Sequence, residues 1–258
     1  MGEARKLWAL EGAMATVDAS ALVVGLTGKV RIPFPSFLIE HPNGLVVVDT
    51  GLAPESVGDP SRFYGAMAAA VDFRFEPEHR VDRQVEARGY RVEDVTDVVV
   101  THAHIDHTGG IGLFPDAKLH IGALDLPYAL HPPPEDRLLY RTEDFTPTLA
   151  RGWDTIRGDR DLFGDGSIQI LAMPGHTPGN TSVLVRLPHR TVVLTGDTVH
   201  LQQALDEELY MHGDYDETAA VASVRRLKDV AAKEEALVWI AHDPAHWDRH
   251  RADEGFVA

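Results

Sequence analysis

The chain has 258 residues, 44% of them hydrophobic and 25% charged, with a formal net charge of −16 and no cysteine. That length and composition suit a soluble protein with a substantial core, read as one domain over residues 1–258. The acidic balance opposes binding to nucleic acid and to anionic membrane surfaces, and the missing thiols exclude disulfides, a cysteine nucleophile and thiolate metal ligands. No apolar run approaches the ~18 residues that would span a bilayer. Glu11, Gly12 and Asp18 interrupt the apolar stretch near the amino terminus, so the protein is expected in the cytoplasm.

Lys6 to Leu10 and Ala21 to Leu26 read as opening strands joined by a polar turn. Ser36 to Glu40 and Leu45 to Val48 form a hairpin about His41-Pro42-Asn43-Gly44, because Asn-Gly between two apolar runs adopts the backbone a tight turn needs. Asp49, Thr50 and Gly51 leave the second strand at its end. A carboxylate there either orients a metal-bound histidine or forms the turn, and spacing alone leaves both open. Between Ala53 and Phe75, the side chains of Phe63, Tyr64 and Met67 either form a lid over an apolar ligand or pack a helix onto the body. Pro77 and Gly89 bracket a helix over Glu78 to Arg88.

Val95 to Val100 (VTDVVV) is a β-branched run of the kind that fills a buried strand. It feeds THAHIDHTGG, Thr101 to Gly110, where His102, His104, Asp106 and His107 crowd together in a chain with 14 histidines. Such density at a strand exit points to metal. His102 and His104, two apart, can face one ion while Asp106 and His107 face a point further on, so one loop can serve two ions. Imidazole and carboxylate donors without thiolate suit zinc, iron, manganese or cobalt.

Lys118 to Ile121 reads as a strand, and the isolated His120 and His131 as structural or surface residues. Arg137 to Trp153 has no clear period and is read as helical cover over the site. Ser167 to Ala172 is a strand before PGHTPG, which holds His176 in a tight turn. Thr181 to Leu187 and Thr191 to Thr195 make a second hairpin ending at Gly196 and Asp197. Asp214, with Glu217 three positions on, reads as the cap of a helix whose apolar face is Val221, Val224, Leu227 and Val230. Leu237 to Ile240 is the last strand, followed by His242 and Asp243.

The order HxHxDH, an isolated His, an Asp and a final His, running from FLIEHPNGLVVVDTG through the last AHD, resembles the metallo-β-lactamase superfamily. The resemblance implies an α/β fold, the four-layer αβ/βα sandwich. It also implies that one divalent ion takes His102, His104 and His176, that a second takes Asp106, His107 and His242, and that Asp197 bridges them. Zinc is the expected metal, with iron, manganese or cobalt as alternatives. Two such ions hold a shared hydroxide as a nucleophile near neutral pH.

Within the superfamily, RIPFPSFLIEHPNGLVVVDTGLAPES, HRVDRQVEARGY and DYDETAAVASVRRLKDVAAKEEALVWIAHD look like the N-acyl homoserine lactonases. The implied reaction is opening of a lactone ring, an N-acyl homoserine lactone first and thus quorum quenching. The alternatives are another lactone, such as a pyridoxolactone-type ring, or an activated ester or thioester. Asp106 then passes a proton to the leaving oxygen. His200, three residues after Asp197 where many of those lactonases carry tyrosine, hydrogen-bonds the substrate. The resemblance leaves a homodimer open, with the aromatic amino-terminal region as its contact. From a different class, the same histidines would suit a metal-stabilised binding protein without turnover.

Overall fold

The valine- and isoleucine-rich runs of the sequence become strands covered on both faces. In the computed structural model, which describes residues 2–65, 71–134 and 136–251, a six-stranded sheet has the order β1 (Lys6–Leu10), β4 (Ser36–His41), β5 (Gly44–Val48), β7 (Asp97–Val100), β8 (Lys118–Gly122) and β9 (Asp154–Ile156). Its first three members pair antiparallel and the remainder parallel. A second sheet runs β10 (Arg160–Asp161), β11 (Ile168–Ala172), β12 (Thr181–Leu187), β13 (Arg190–Leu194) and β14 (Leu237–Trp239), antiparallel except for the last pair. A small third sheet has β2 (Met14–Asp18) between β3 (Lys29–Pro33) and β6 (Asp72–Arg74).

Side-chain alternation builds the layers. Phe37, Ile39, Val46, Val48 and Val99 point between the two large sheets, where they meet Val183, Val185, Val192, Leu194 and Trp239. Their sequence neighbours Leu38, Val47, Val98 and Val100 face the other way, onto Val81 and Val85 of the helix Val81–Ala87 and onto Phe114. Across the second sheet, Leu184 and Val193 meet Val224 and Leu227 of the helix Glu217–Lys233. Strands apolar on both sides must be covered on both sides. The outcome is helix, sheet, sheet, helix, the four-layer αβ/βα sandwich.

Three local expectations change. Ala21 to Leu26 is not a strand: Asp18 accepts from Ser20 N and caps a short 3-10 turn, and Gly25 takes a left-handed φ of 84°. Leu22 and Val23 are buried there as a packed turn. The helix expected over Glu78 to Arg88 divides into a turn, Pro77–His79, and the helix Val81–Ala87, because Arg80 between them is extended. Finally, Asp216 rather than Asp214 caps the helix Glu217–Lys233, accepting from Ala219 N at 2.9 Å. No helix among the described residues is long and apolar enough to cross a membrane.

Candidate metal centre

The loop after β7 is clasped by the exit of β5. Asp49 Oδ1 accepts from Thr101 N at 2.8 Å, and its Oδ2 accepts from Thr101 Oγ1 and His107 Nδ1, each at 2.9 Å. Thr50 N and Oγ1 both donate to His107 O. Gly109 permits this approach, since a Cβ there would fall 2.0 Å from Ala53 N. One helical turn, Ile105–Thr108, then presents Asp106 and His107 beside His104.

His176 follows β11, Asp197 follows β13 and His242 follows β14, so four strand ends deliver seven side chains to one place. All are buried except Asp106, whose side chain is 17% exposed. His102 Nε2 and His176 Nε2 lie 3.0 and 3.1 Å from His104 Nδ1. Asp197 Oδ2 is 3.8 Å from the first of these nitrogens and 3.5 Å from the second. Its other oxygen, Oδ1, is 3.4 Å from His107 Nε2 and 3.1 Å from His242 Nε2. Asp106 Oδ2 faces the same two nitrogens at 3.3 and 3.7 Å. Two sets, His102/His104/His176 and Asp106/His107/His242, therefore share one carboxylate.

The far side of most of these rings is already engaged. His107 Nδ1 donates to Asp49, His176 Nδ1 to Asp214 Oδ1 at 2.8 Å, and His242 Nδ1 to Pro33 O at 2.8 Å. His102 Nδ1 lies 3.2 Å from Thr101 Oγ1. Their Nε2 lone pairs, together with His104 Nδ1, converge inward.

Burial holds His102 and His104 well below the ordinary histidine pKa, so both are neutral. Three imidazole nitrogens, His102 Nε2, His104 Nδ1 and His176 Nε2, meet at 3.0 and 3.1 Å; a single ring proton on His104 Nδ1 cannot serve both contacts well, whereas a cation among the three suits all of them. His107 Nε2 and Asp197 Oδ1 are buried without a hydrogen-bond partner, a costly state that coordination relieves. The donors thus fit two divalent cations.

Charge points the same way. Burial opposes ionisation of Asp106 and Asp197, but His107 and His242 outweigh it, lowering Asp106 to about 2 and Asp197 well below the carboxylate range. Burial also works against charge on His107, His176 and His242. Asp106 and Asp49 at the first, Asp214 at the second and Asp197 at the third nevertheless raise all three. Protons balance these carboxylates where cations do not.

A cleft of about 180 Å³ opens over His104, Asp106, His176, Asp197, His200 and His242. Its apolar walls include Leu22, Phe34, Phe73, Ile105, Leu139 and Met211. His200 is buried, with Nε2 3.0 Å from Asp197 Oδ2 and its ring parallel to that of His242. Burial lowers its pKa.

Phe63 and Tyr64 are not brought to this cleft. Tyr64 Oη accepts from Ala53 N at 2.7 Å, and Arg141 lies over the Phe63 ring at 4.6 Å. Met67 lies outside the described residues. His120 is buried between Asp97 and Asp154, at 2.8 and 3.2 Å, remote in role from the centre, while His131 is exposed. The sequence alone does not single out Asp214 or the Phe34–Phe73 wall as site residues. Asp214 carried a competing capping signal, and the wall exists only because β2 pairs with distant β6.

Comparison with known proteins agrees with this architecture. Relatives include the N-acyl homoserine lactonase AttM of Rhizobium radiobacter, 34% identical over 235 residues that cover 88% of each chain. Another is the N-acyl homoserine lactonase AiiA of Bacillus thuringiensis subsp. kurstaki, 28% identical with 93% of each chain covered. Among solved structures, an N-acyl homoserine lactone hydrolase with N-hexanoyl-L-homoserine bound at its catalytic metal centre superimposes with a TM-score of 0.86, at 25% identity, over 97% of this chain and 98% of that one. The family model of the metallo-β-lactamase superfamily matches residues 35–242, from the start of the first hairpin to the last converging histidine. With a match over that span and the shared fold, this chain belongs to the metallo-β-lactamase superfamily.

Proposed function

We propose that this chain is a lactonase that hydrolyses the ring ester of N-acyl homoserine lactones at a two-ion centre, with zinc the first candidate and iron, manganese or cobalt able to use the same donors. The observation that carries the proposal is the paired donor set sharing Asp197, set at the floor of an apolar cleft. His102, His104 and His176 would hold one ion, Asp106, His107 and His242 the other, and Asp197 both. When bound, such ions supply Lewis acidity for a carbonyl and lower the pKa of water toward about 7.

The residues of the chain do the rest. Leu22, Phe34, Phe73 and Leu139 take the acyl chain and keep water from it, placing the lactone ring over the polar floor. His200 lines the cleft and would hydrogen-bond the substrate there; its ring, kept neutral by burial, carries one N–H, which before substrate enters is directed from Nε2 at Asp197 Oδ2. Asp106, ionised and the most open of the donors, takes the proton of the attacking water. As the bond from carbonyl carbon to ring oxygen breaks, Asp106 returns that proton to the leaving oxygen, giving the hydroxy acid.

Proton release at constant pH by metal-loaded protein, on a panel of homoserine lactones beside a pyridoxolactone-type ring, a thioester and a phosphodiester, tests the proposal. Turnover of homoserine lactones that disappears with chelation and in Asp197→Ala is expected. Activity confined to the other esters, or unaffected by chelation, would overturn it.

A further inference from the structure

Asp214 is released from the helix it was expected to cap, and the structure shows where its carboxylate goes. Oδ1 accepts from His176 Nδ1 at 2.8 Å and Oδ2 accepts from Met211 N at 2.9 Å. The side chain is only 4% exposed. Beside it, Tyr215 N donates to His176 O at 3.2 Å and Asp216 N to Gly175 O at 3.0 Å, so one short segment grips the His176 turn by side chain and backbone. The same segment carries Met211 into the wall of the cleft.

We propose that Asp214 is a positioning residue of the centre: one oxygen fixes the His176 ring while the other fixes the Met211 wall, so a single carboxylate sets a metal donor and the substrate-facing segment together. A carboxylate in this place only accepts, so His176 carries its proton on Nδ1 and turns the Nε2 lone pair toward His104 Nδ1 and Asp197 Oδ2. Without Asp214 the ring can rotate and exchange tautomers, and that lone pair is presented only part of the time. Losing such a partner typically weakens a metal site about 10- to 100-fold. The inference rests on the two-ion reading proposed above.

The test is Zn²⁺ titration in competition with a chromophoric chelator, together with the visible absorption of the Co²⁺ protein, on the wild type, Asp214→Ala and Asp214→Asn. Two ions are expected in the wild type. Asp214→Ala should weaken one of them about 10- to 100-fold, alter the Co²⁺ bands and raise KM for a long-chain lactone. Asp214→Asn, whose amide oxygen can still accept from His176, should recover most of the affinity. A two-ion wild type with an indifferent Asp214→Ala overturns this assignment alone, as does an equal loss of both ions that Asn fails to relieve. A wild type that takes up no ion overturns the two-ion reading and the assignment with it.

Discussion

Asp49 and His107 meet at 2.9 Å in the interior, although 58 positions separate them, and the same carboxylate also receives two bonds from Thr101. Asp49 does this from a left-handed backbone, φ 58°, which Asn also tolerates. Asp49→Asn should therefore keep the turn but set an amide N–H against one of three donors. We expect about a 10- to 100-fold loss of metal affinity with a folded chain, measured as metal retained after dialysis against a chelator. Retention equal to wild type would show that Asp49 only shapes the turn.

Raised pKa values at His107, His176 and His242 mean that incoming cations displace protons. Zinc loading near pH 7 is expected to acidify a weakly buffered solution, and apparent affinity should rise with pH. Calorimetry in buffers of different ionisation enthalpy measures the protons directly. Loading without proton release would contradict the charge balance described for the centre.

The layers and the donors were legible because each is written locally. Alternation through Phe37, Leu38 and Ile39 gives both faces of a strand, and each donor stands just past such a run. Contacts between distant segments leave no such trace. The apolar run at Ala21 to Leu26 has a strand's composition, yet Gly25 and the Asp18 cap fold it into a turn. Phe63 and Tyr64 had the composition of a lid, but the Tyr64 hydroxyl is tied to Ala53. The cleft wall instead comes from a third sheet whose outer strand, β6, is only three residues long.

That wall predicts chain-length dependence. Phe73→Ala removes apolar surface from the acyl side of the cleft, at about 1–2 kcal/mol for a chain long enough to reach it. The ratio of kcat/KM for a decanoyl over a butanoyl lactone should fall about 5- to 30-fold. Phe63→Ala should leave the ratio unchanged. The opposite ranking would restore the lid.

Asp125 joins the two donor loops of the first set. It accepts from Ala103 N, Thr177 Oγ1 and Gly179 N while wholly buried. Burial, exceeding the effect of those donors, pushes its pKa up to about 6 from 3.8. The native carboxyl then holds its proton more tightly than the unfolded one. Its contribution is greatest below pH 3.8 and is lost as pH rises toward 6, on the order of 3 kcal/mol in total. Urea unfolding of chelator-treated protein between pH 4 and 7 should show this fall in the wild type relative to Asp125→Asn. Parallel curves for the two proteins would place Asp125 near an ordinary carboxylate.

The centre lies across a seam. His102, His104, Asp106 and His107 hang from the first large sheet, whereas His176, Asp197 and His242 hang from the second. Neither half owns a complete set, so a fragment ending before β10 retains four candidate donors from one loop and lacks Asp197, the carboxylate that would serve both ions. The set Asp106, His107 and His242 stays incomplete until β14 pairs with β13 and brings His242 into place. The second ion would therefore load last, and ions held across this seam would tie the two halves together.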